Sequence, residues 1–148
     1  MYTDTITVFN RKDSRLGDTW YPTILRNVNL NIDRAAIAKV YGAESADTCL
    51  LGIKYVALNG EKYIGQKRYL LPKEWDSQVR DELAETITFT AGEGFDFFIE
   101  GEYDETPVND DDYTEGFFEY MKRNYDRVYS ITSVSEFSVI PHIEITGK

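Results

Sequence analysis

Polar and apolar residues alternate without a break along residues 27–33, which read Asn-Val-Asn-Leu-Asn-Ile-Asp. A period of two residues is typical of a β-strand whose two faces lie in different surroundings. Asparagine is a poor strand former, so the arrangement reflects patterning rather than propensity. We expect the apolar side chains to anchor the core and the asparagines to face water or a neighbouring subunit. The predicted inner residues are Val28, Leu30 and Ile32, and the predicted outer residues are Asn27, Asn29 and Asn31.

Similar patterns along the rest of the chain predict a protein rich in β-strands. Pro22 lacks a backbone N–H, which places its strand at a sheet edge or at a bulge. The dipeptide Asn59-Gly60 predicts a type I′ turn between two strands. The further strands are predicted over residues 5–10, 19–26, 49–58, 61–64, 84–90, 95–103, 127–133 and 139–146.

Two short helices are predicted in the first half of the chain. Asp33 fits the N-cap of a helix over residues 34–41. Pro72 fits the first position of a helical turn. Trp75 and Val79 follow it and are separated by one helical turn, and we expect both side chains to cover the end of a sheet.

A third helix is predicted after residues 112–115, Asp-Tyr-Thr-Glu, which resemble a capping box with Asp in the cap position. This helix is expected to end near Arg123. The sequence contains no internal repeat and no low-complexity linker, which favours one domain over residues 1–148. The predicted fold class is α+β: mainly antiparallel β-sheet, barrel-like or strongly curved, with two or three short helices.

The net charge of −10 is unevenly distributed along the sequence. Residues 81–121 contain 14 acidic residues and no Lys or Arg, so the remainder holds 12 acidic and 16 basic residues, a balance of +4. An acidic protein repels phosphate groups, which disfavours sequence-specific binding of nucleic acid. The split gives two faces of opposite charge if copies of the chain pack side by side.

The sequence favours neither a membrane span nor secretion. No apolar run approaches the roughly 20 residues that a membrane-spanning helix needs. Residues 1–5 lack basic and apolar signal regions, so a secretory signal is not expected. Cys49 is the single cysteine, which suits a reducing compartment, and we expect it to be inert packing in a buried strand. Glycine motifs that bind nucleotide phosphates do not occur, and no cofactor is expected.

The densest acidic cluster consists of Asp110, Asp111 and Asp112. An EF-hand loop that starts at Asp110 needs glycine at its sixth position and glutamate at its twelfth, where the sequence has Glu115 and Met121. We therefore expect a solvated helix N-terminus, where carboxylates interact favourably with the helix dipole, rather than a metal site.

His142 is the only histidine, so a Ser-His-Asp or Cys-His mechanism would require it. It lies in a predicted strand beside the apolar residues Ile143 and Ile145. A hydrogen bond or a contact at a subunit boundary is expected. The alternative is the general base of a small hydrolase, which needs an acid or a hydroxyl within about 3 Å in a concave site.

Lys67 and Arg68 form a small basic patch beside Tyr69. We expect a loop in which the aliphatic parts of these side chains cover apolar surface. Contact with DNA is the alternative, but two charges contribute little affinity.

Four parts of the sequence resemble small proteins encoded by tailed phages and prophages of Gram-positive bacteria. They are residues 5–11 (TITVFNR) with 18–25 (DTWYPTIL) and 27–28, residues 71–75 (LPKEW), residues 110–117 (DDDYTEGF), and residues 131–134 (ITSV) with 138–148 (SVIPHIEITGK). Together they cover most of the chain. Proteins of this kind are usually labelled minor capsid or hypothetical phage proteins.

The resemblance implies a place in the virion neck, where head-closure proteins form rings of small β-barrel subunits between portal and tail. The chain is then expected to be a structural protein and not an enzyme. Its expected partners are other copies in a ring and the portal, adaptor or tail-completion proteins. It is expected in the bacterial cytoplasm during phage assembly and afterwards in the virion. Head-closure proteins are commonly shorter, and the acidic residues 93–119 have no clear counterpart in them.

Two other functions are open at the level of the sequence: a monomeric β-rich binding module of a prophage, and a small hydrolase that uses His142. The candidate interaction surface comprises Asn27, Asn29, Asn31, Lys67, Arg68, Asp110, Asp111, Asp112 and His142.

Overall fold

The structure is a computed structural model that describes residues 2–33 and 48–148. These residues form eleven β-strands, three short α-helices and one 3₁₀ turn. The strands are β1 (Asp4–Lys12), β2 (Thr19–Asn31), β3 (Cys49–Lys54), β4 (Val56–Leu58), β5 (Glu61–Ile64), β6 (Lys67–Tyr69), β7 (Thr86–Ile87), β8 (Phe97–Glu100), β9 (Val108–Asn109), β10 (Val128–Phe137) and β11 (His142–Gly147). The helices are α1 (Pro72–Asp76), α2 (Arg80–Leu83) and α3 (Phe117–Asn124), and the 3₁₀ turn is Asp110–Asp112.

Six of the described strands close into a barrel in the order β1-β8-β10-β11-β3-β2, because β2 pairs again with β1. Every pairing in this barrel is antiparallel. The contact between β1 and β2 is long, whereas β2 and β3 pair only over residues 29–31. The closed antiparallel barrel with short helices confirms the predicted α+β class.

The alternating stretch that begins at Asn27 continues β2 instead of forming a separate strand. Asn27 lies in the left-handed region, with φ 58°, and the register with β1 shifts beside it, which marks a β-bulge. The bulge adds one residue, so Leu25 and Val28 both face the barrel interior. Val28 is buried, and Leu30 and Ile32 are half-buried against the same core. The inner face predicted for this stretch is therefore confirmed, with Val28 as its most buried member.

The barrel interior is filled mainly by aliphatic side chains. They come from all six strands and are Ile6, Val8, Leu25, Val28, Cys49, Leu51, Ile53, Ile131, Ile143 and Ile145, together with the ring of Phe98. A second sheet, in the order β4-β5-β6-β7, adds Tyr69 and Ile87 to this core, and Phe89 packs against Tyr69 at a ring-centroid distance of 5.6 Å. The second sheet therefore closes one end of the barrel.

A second apolar core lies outside the barrel wall. Phe9, Trp20 and Phe97 point away from the interior and pack against Phe117 and Met121 of α3. The Phe9 and Phe97 rings stack with centroids 4.7 Å apart, and the ring of Phe117 meets Phe9 edge-on at 5.2 Å. Both faces of β1 and β8 are thus buried.

The predicted strand over residues 49–58 divides at Tyr55. β3 stays in the barrel, whereas β4 leaves it for the second sheet with all three of its side chains exposed. The predicted type I′ turn is confirmed, since Asn59 and Gly60 have φ values of 54° and 80° and connect the antiparallel pair β4 and β5.

The helix predicted at Pro72 is confirmed, but Val79 does not cover the sheet. Trp75 is buried against the ring of Tyr21, whereas Val79 is 64% exposed. Val79 has an extended backbone because it is the N-cap residue of α2 and so does not continue the turn that contains Trp75. Leu83 joins the buried cluster of Tyr21 and Trp75.

The capping box predicted at residues 112–115 is wrong. α3 begins at Phe117, after Gly116 with φ 92°, and the carboxylate of Asp110 accepts the Phe117 backbone N–H at 2.9 Å. The capping acceptor therefore precedes the helix by seven residues along the chain, which a local motif does not reveal.

The helix predicted over residues 34–41 lies outside the described residues. Within the part of the chain that the structure describes, no helix is long and apolar enough to cross a membrane. Cys49 is buried in the barrel, and burial raises the pKa of its thiol to about 12. This agrees with the packing role expected for Cys49.

Candidate functional site

The barrel has an open seam between β2 and β3. β9 covers the edge of β2 at Thr19 and Trp20, and β3 covers it at residues 29–31. Between these points, no described strand pairs with this edge of β2. A cleft of about 600 Å³, the seam cleft, follows the gap and is lined by residues 23–28, Ile53, Lys54, residues 64–67 and Glu105.

Backbone groups of β2 point into the seam cleft. The Ile24 N–H points there, since it donates to Glu105 Oε2 at 3.0 Å. N–H groups two residues apart in a strand point the same way, so the Arg26 N–H and the position of Pro22 face the cleft too. A proline is tolerated at that position because no ladder bond to β1 is lost. The prediction placed the strand of Pro22 at a sheet edge or at a bulge, and β2 has both an unpaired stretch of edge and a bulge at Asn27.

Lys67 lies in β6 and not in the loop that the sequence suggested. Its Nζ donates to Thr23 Oγ1 at 2.7 Å, across the seam cleft. Burial lowers the pKa of Lys67, and the charge of Glu105 partly opposes this shift. The ammonium has three donors, and among the described residues the structure gives it this one hydrogen bond and no ion pair.

Two nearby basic side chains, Arg26 and Lys62, differ from Lys67 because each has a carboxylate partner. Arg26 pairs with Glu102 at 3.1 Å, and Lys62 pairs with Glu136 at 2.7 Å. Lys67 is thus a half-buried cation, and its ammonium retains N–H donors that no described residue accepts. It faces a cleft that also exposes a backbone edge.

An acidic segment, residues 102–109, crosses from β1 to the open edge of β2; we call it the acidic strap. Near its start the Tyr103 backbone N–H donates to Thr7 Oγ1 of β1 at 2.9 Å. The end of the strap forms β9, which pairs with β2 by backbone hydrogen bonds. Further along, Glu105 and Glu102 reach β2 through their side chains, to the Ile24 N–H and to Arg26. The strap therefore covers the edge with carboxylates where it does not pair as a strand.

A second cleft lies on the outside of the barrel and has a volume of about 360 Å³; we call it the wall patch. It brings together three residues predicted separately, Asn29, Asn31 and His142. The register explains this, because Asn29 pairs with Gly52 and Gly52 pairs with Glu144, next to His142 on β11. The complete lining is Tyr2, Asn29, Asn31, Leu50, Leu51, Gly52, Ser133, Ser135, His142, Glu144, Ile145 and Thr146.

Each ring nitrogen of His142 lies within hydrogen-bond distance of an oxygen. Nδ1 lies 2.6 Å from the Ile140 carbonyl oxygen, and Nε2 lies 2.8 Å from Glu144 Oε2. Both partners are acceptors, which favours the doubly protonated ring; the hydrogen bond to Glu144, and then that to Ile140, raise the pKa of His142. The ring also stacks on Phe137 at 4.7 Å. The acid within about 3 Å that a hydrolase needs is present, but hydrogen bonds within the chain engage both ring nitrogens of His142.

The remaining predicted residues lie elsewhere. Arg68 faces away from Lys67 on the second sheet and pairs with Glu61 at 3.2 Å. Asp110 is structural: its Oδ1 accepts the Trp20 Nε1–H at 2.9 Å as well as the N–H that starts α3. Asp111 packs against Gly17, and Asp112 is exposed in the 3₁₀ turn. In the described residues no group of three or more His, Cys, Asp or Glu side chains is placed to hold a metal ion.

Some acidic and basic residues that are separated along the sequence lie close together in the folded chain. Four acids of residues 81–121 pair with bases that follow or precede that segment: Glu100 with Arg127, Glu102 with Arg26, Glu115 with Arg123, and Glu119 with Lys122. These pairs neutralise part of the acidic segment within one chain.

A buried carboxylate holds the turn before β8 against β1. Asp96 accepts the backbone N–H groups of Arg11 and Thr90 and the side-chain amide of Asn10, each at 2.9 Å. Burial raises the pKa of Asp96 to about 6, and the three hydrogen bonds oppose that rise. These hydrogen bonds connect the turn before β8 to β1, and the carboxylate of Asp96 is buried.

Large apolar side chains are exposed on two adjacent hairpins; we call them the apolar rim. They are Val56 and Leu58 of β4, Phe137 of β10, and Val139 and Ile140 of the following turn. The strand predicted from residue 139 in fact begins at His142, which leaves Val139 and Ile140 at a hairpin tip, 96% and 74% exposed. The hairpins are joined where the Tyr55 hydroxyl donates to the Phe137 carbonyl at 2.8 Å.

The sequence identified Lys67 and the outer asparagines but missed the seam cleft. Thr23 and Ile24 lie in the segment 18–25 that resembles phage proteins, but nothing in that segment indicates a cleft, and Glu105 is distant from β2 along the chain. The one local signal was Pro22, which indicates an unpaired edge without showing what lies beside it.

Comparison with known proteins gives one match. Neither a curated protein nor a solved structure matches the chain. Residues 1–148 match a family of unknown function, DUF6751. Since the match extends over the whole sequence, the chain belongs to the family DUF6751.

Proposed function

We propose that the chain is a structural subunit of a tailed phage or prophage virion, placed at the head–tail junction, which acts through subunit contacts and not through catalysis. The observation that carries this proposal is the apolar rim. Exposed apolar groups concentrated on one surface are typical of protein–protein interfaces.

The rim combines apolar side chains with an open strand edge. β4 is an edge strand of the second sheet, and its three residues, Val56 to Leu58, carry no charge. Natural edge strands usually carry lysine, proline or a bulge that blocks pairing with another chain. β4 has none of these three features and is protected only by its length of three residues. Its outer edge and the exposed side chains of Val56 and Leu58 therefore face an incoming strand.

The placement in the virion neck is supported by the resemblance of the four sequence segments to phage proteins and by the barrel that this resemblance implies. The hydrogen bonds that engage both ring nitrogens of His142, with the Ile140 carbonyl oxygen and with Glu144, support a non-enzymatic role, because they leave neither nitrogen free to act on a substrate. The expected partners are other copies of the chain and the portal, adaptor or tail-completion proteins.

Mass spectrometry of purified virions tests the placement. We expect the protein in virions, and in size-exclusion chromatography with light scattering we expect it to associate with itself or with its cognate portal. A protein that is missing from virions, stays monomeric and never binds portal or tail components would contradict the proposal and favour a monomeric binding module.

Paired substitutions test whether the rim makes these contacts. Val139→Ser with Ile140→Ser should weaken association and leave the fold intact, since both side chains lie at an exposed tip. Leu16→Ser is the matched control, because Leu16 is also 96% exposed but lies in the loop between β1 and β2. Equal loss of association in the control and in the rim variant would show that the rim is not the interface.

A further inference from the structure

We propose that the seam cleft binds an extended acidic peptide segment of a partner protein, which adds to the open edge of β2 and places a carboxylate against Lys67. This inference names the chemistry of one contact, and it holds whether or not the chain belongs to a virion.

The backbone of β2 supplies the first part of the site. Ile24 and Arg26 direct their N–H and C=O groups into the cleft, and no described strand pairs with them. An extended peptide can form ladder hydrogen bonds with such an edge, as in other cases of strand addition. Buried Leu25, Ile53 and Ile64 line the cleft, which gives alternate side chains of the peptide an apolar surface.

Lys67 supplies the charge. Its ammonium is held in place by Thr23 Oγ1 at 2.7 Å and retains donors that no described carboxylate accepts within ion-pair distance. A carboxylate brought alongside would form a charge-assisted hydrogen bond in a partly desolvated cleft, where such bonds are stronger than at the surface.

The acidic strap shows that this edge accepts a carboxylate. Glu105 Oε2 accepts the Ile24 N–H at 3.0 Å, and Glu102 accepts a hydrogen bond from the exposed Arg26 side chain at 3.1 Å. The β9 end of the strap pairs antiparallel with β2, which is the direction that an added strand would take beside it. A partner carboxylate would displace Glu105 from the Ile24 N–H and gain Lys67 in addition. Glu105 is thus an internal competitor for the partner.

The test uses the full chain and a fluorescent peptide with the sequence of residues 102–109, Glu-Tyr-Asp-Glu-Thr-Pro-Val-Asn. The matched neutral peptide replaces its acids with Gln and Asn. The Glu105→Gln protein is the main host, because a neutral amide is a weaker acceptor for the Ile24 N–H than a carboxylate and is more easily displaced by the peptide. Binding is followed by fluorescence anisotropy, and folding by circular dichroism.

We expect the Glu105→Gln protein to bind the acidic peptide about tenfold more tightly than the neutral one, the effect of one charge-assisted hydrogen bond. Adding Lys67→Gln should abolish this difference, whereas adding Lys67→Arg should keep most of it. Lys62→Gln is the matched control on the same sheet and should have no effect, because Lys62 already pairs with Glu136. The unsubstituted chain should bind more weakly than the Glu105→Gln protein.

Amide chemical shifts provide a readout that does not depend on a Lys67 variant. On addition of the acidic peptide to the Glu105→Gln protein, the signals of Ile24 and Arg26 should shift most. Equal binding of both peptides, an unchanged affinity in a folded Lys67→Gln protein, or shifts confined to other surfaces would each overturn the proposal. Failure here would leave virion incorporation and the apolar rim unaffected, so the two proposals can be separated.

Discussion

Replacing Asp110 with alanine removes one oxygen that holds two parts of the molecule together. Asp110 Oδ1 accepts both the Trp20 Nε1–H and the Phe117 N–H at 2.9 Å. Trp20 is 1% exposed and Phe117 is fully buried, so neither donor finds a ready replacement acceptor. A hydrogen bond to a charged group contributes about 1.5–3 kcal/mol, and because Asp110 is itself half-exposed we take the lower value for each bond. Asp110→Ala should therefore lower the free energy of unfolding by about 3 kcal/mol.

Urea denaturation followed by tryptophan fluorescence measures this loss directly, since Trp20 is in contact with the altered site. For a chain of this length the same change corresponds to a fall in Tm of about 6–12 °C. Asp110→Asn keeps an acceptor oxygen and should cost about 1 kcal/mol. Asp112→Ala is the matched control, exposed in the same 3₁₀ turn, and should stay within about 0.5 kcal/mol. Equal losses for Asp110→Ala and Asp112→Ala would refute the assignment of Asp110 as a structural acceptor.

Three further predictions concern the barrel. In NMR the single histidine signal should titrate above pH 6.5, and Glu144→Gln should lower the pKa of His142. Because the pKa is raised in the folded state, the hydrogen bond between His142 and Glu144 stabilises the fold below about pH 6.5. This stabilisation is lost as the pH rises through the pKa of the folded state. Cys49 should resist thiol reagents in the folded protein and react after unfolding in urea, because burial raises its pKa to about 12. Gly147→Ala should cost about 2 kcal/mol in urea denaturation, since the added Cβ would lie 2.9 Å from Cys49 Sγ, whereas Gly52→Ala, with its nearest atom at 3.4 Å, should cost less than half of that.

The strands were predictable where side-chain alternation continued, as in residues 27–33. The bulge at Asn27 was not predictable, because apolar and polar residues alternate regularly on each side of it. Its only sign in the sequence is that the inward-facing residues Leu25 and Val28 are three positions apart instead of two. Asparagine tolerates the left-handed region, so Asn27 is suited to the position, but the same is true of many asparagines in ordinary loops.

Features formed by distant segments were not predictable from local patterns. The capping of α3 by Asp110 depends on a turn that returns the carboxylate to the helix start. Leu83, and not Val79, packs beside Trp75, and this depends on where α2 begins. The seam cleft likewise depends on β2 and β3 diverging after three paired residues, which no single segment specifies.

The position of β11 has a consequence for how the chain is made. β11 lies between β10 and β3, so residues 142–147 supply the last pairing that closes the ring. In a ribosome-bound chain that has not yet released these residues, β3 and β10 each have one unpaired edge, and the edge of β3 stays unpaired longer because β3 is synthesised first. The barrel therefore closes in a step that joins segments about 90 residues apart, a slow type of event in folding. During synthesis the exposed edge of β3 would be the site at which chaperones act or at which neighbouring nascent chains mispair.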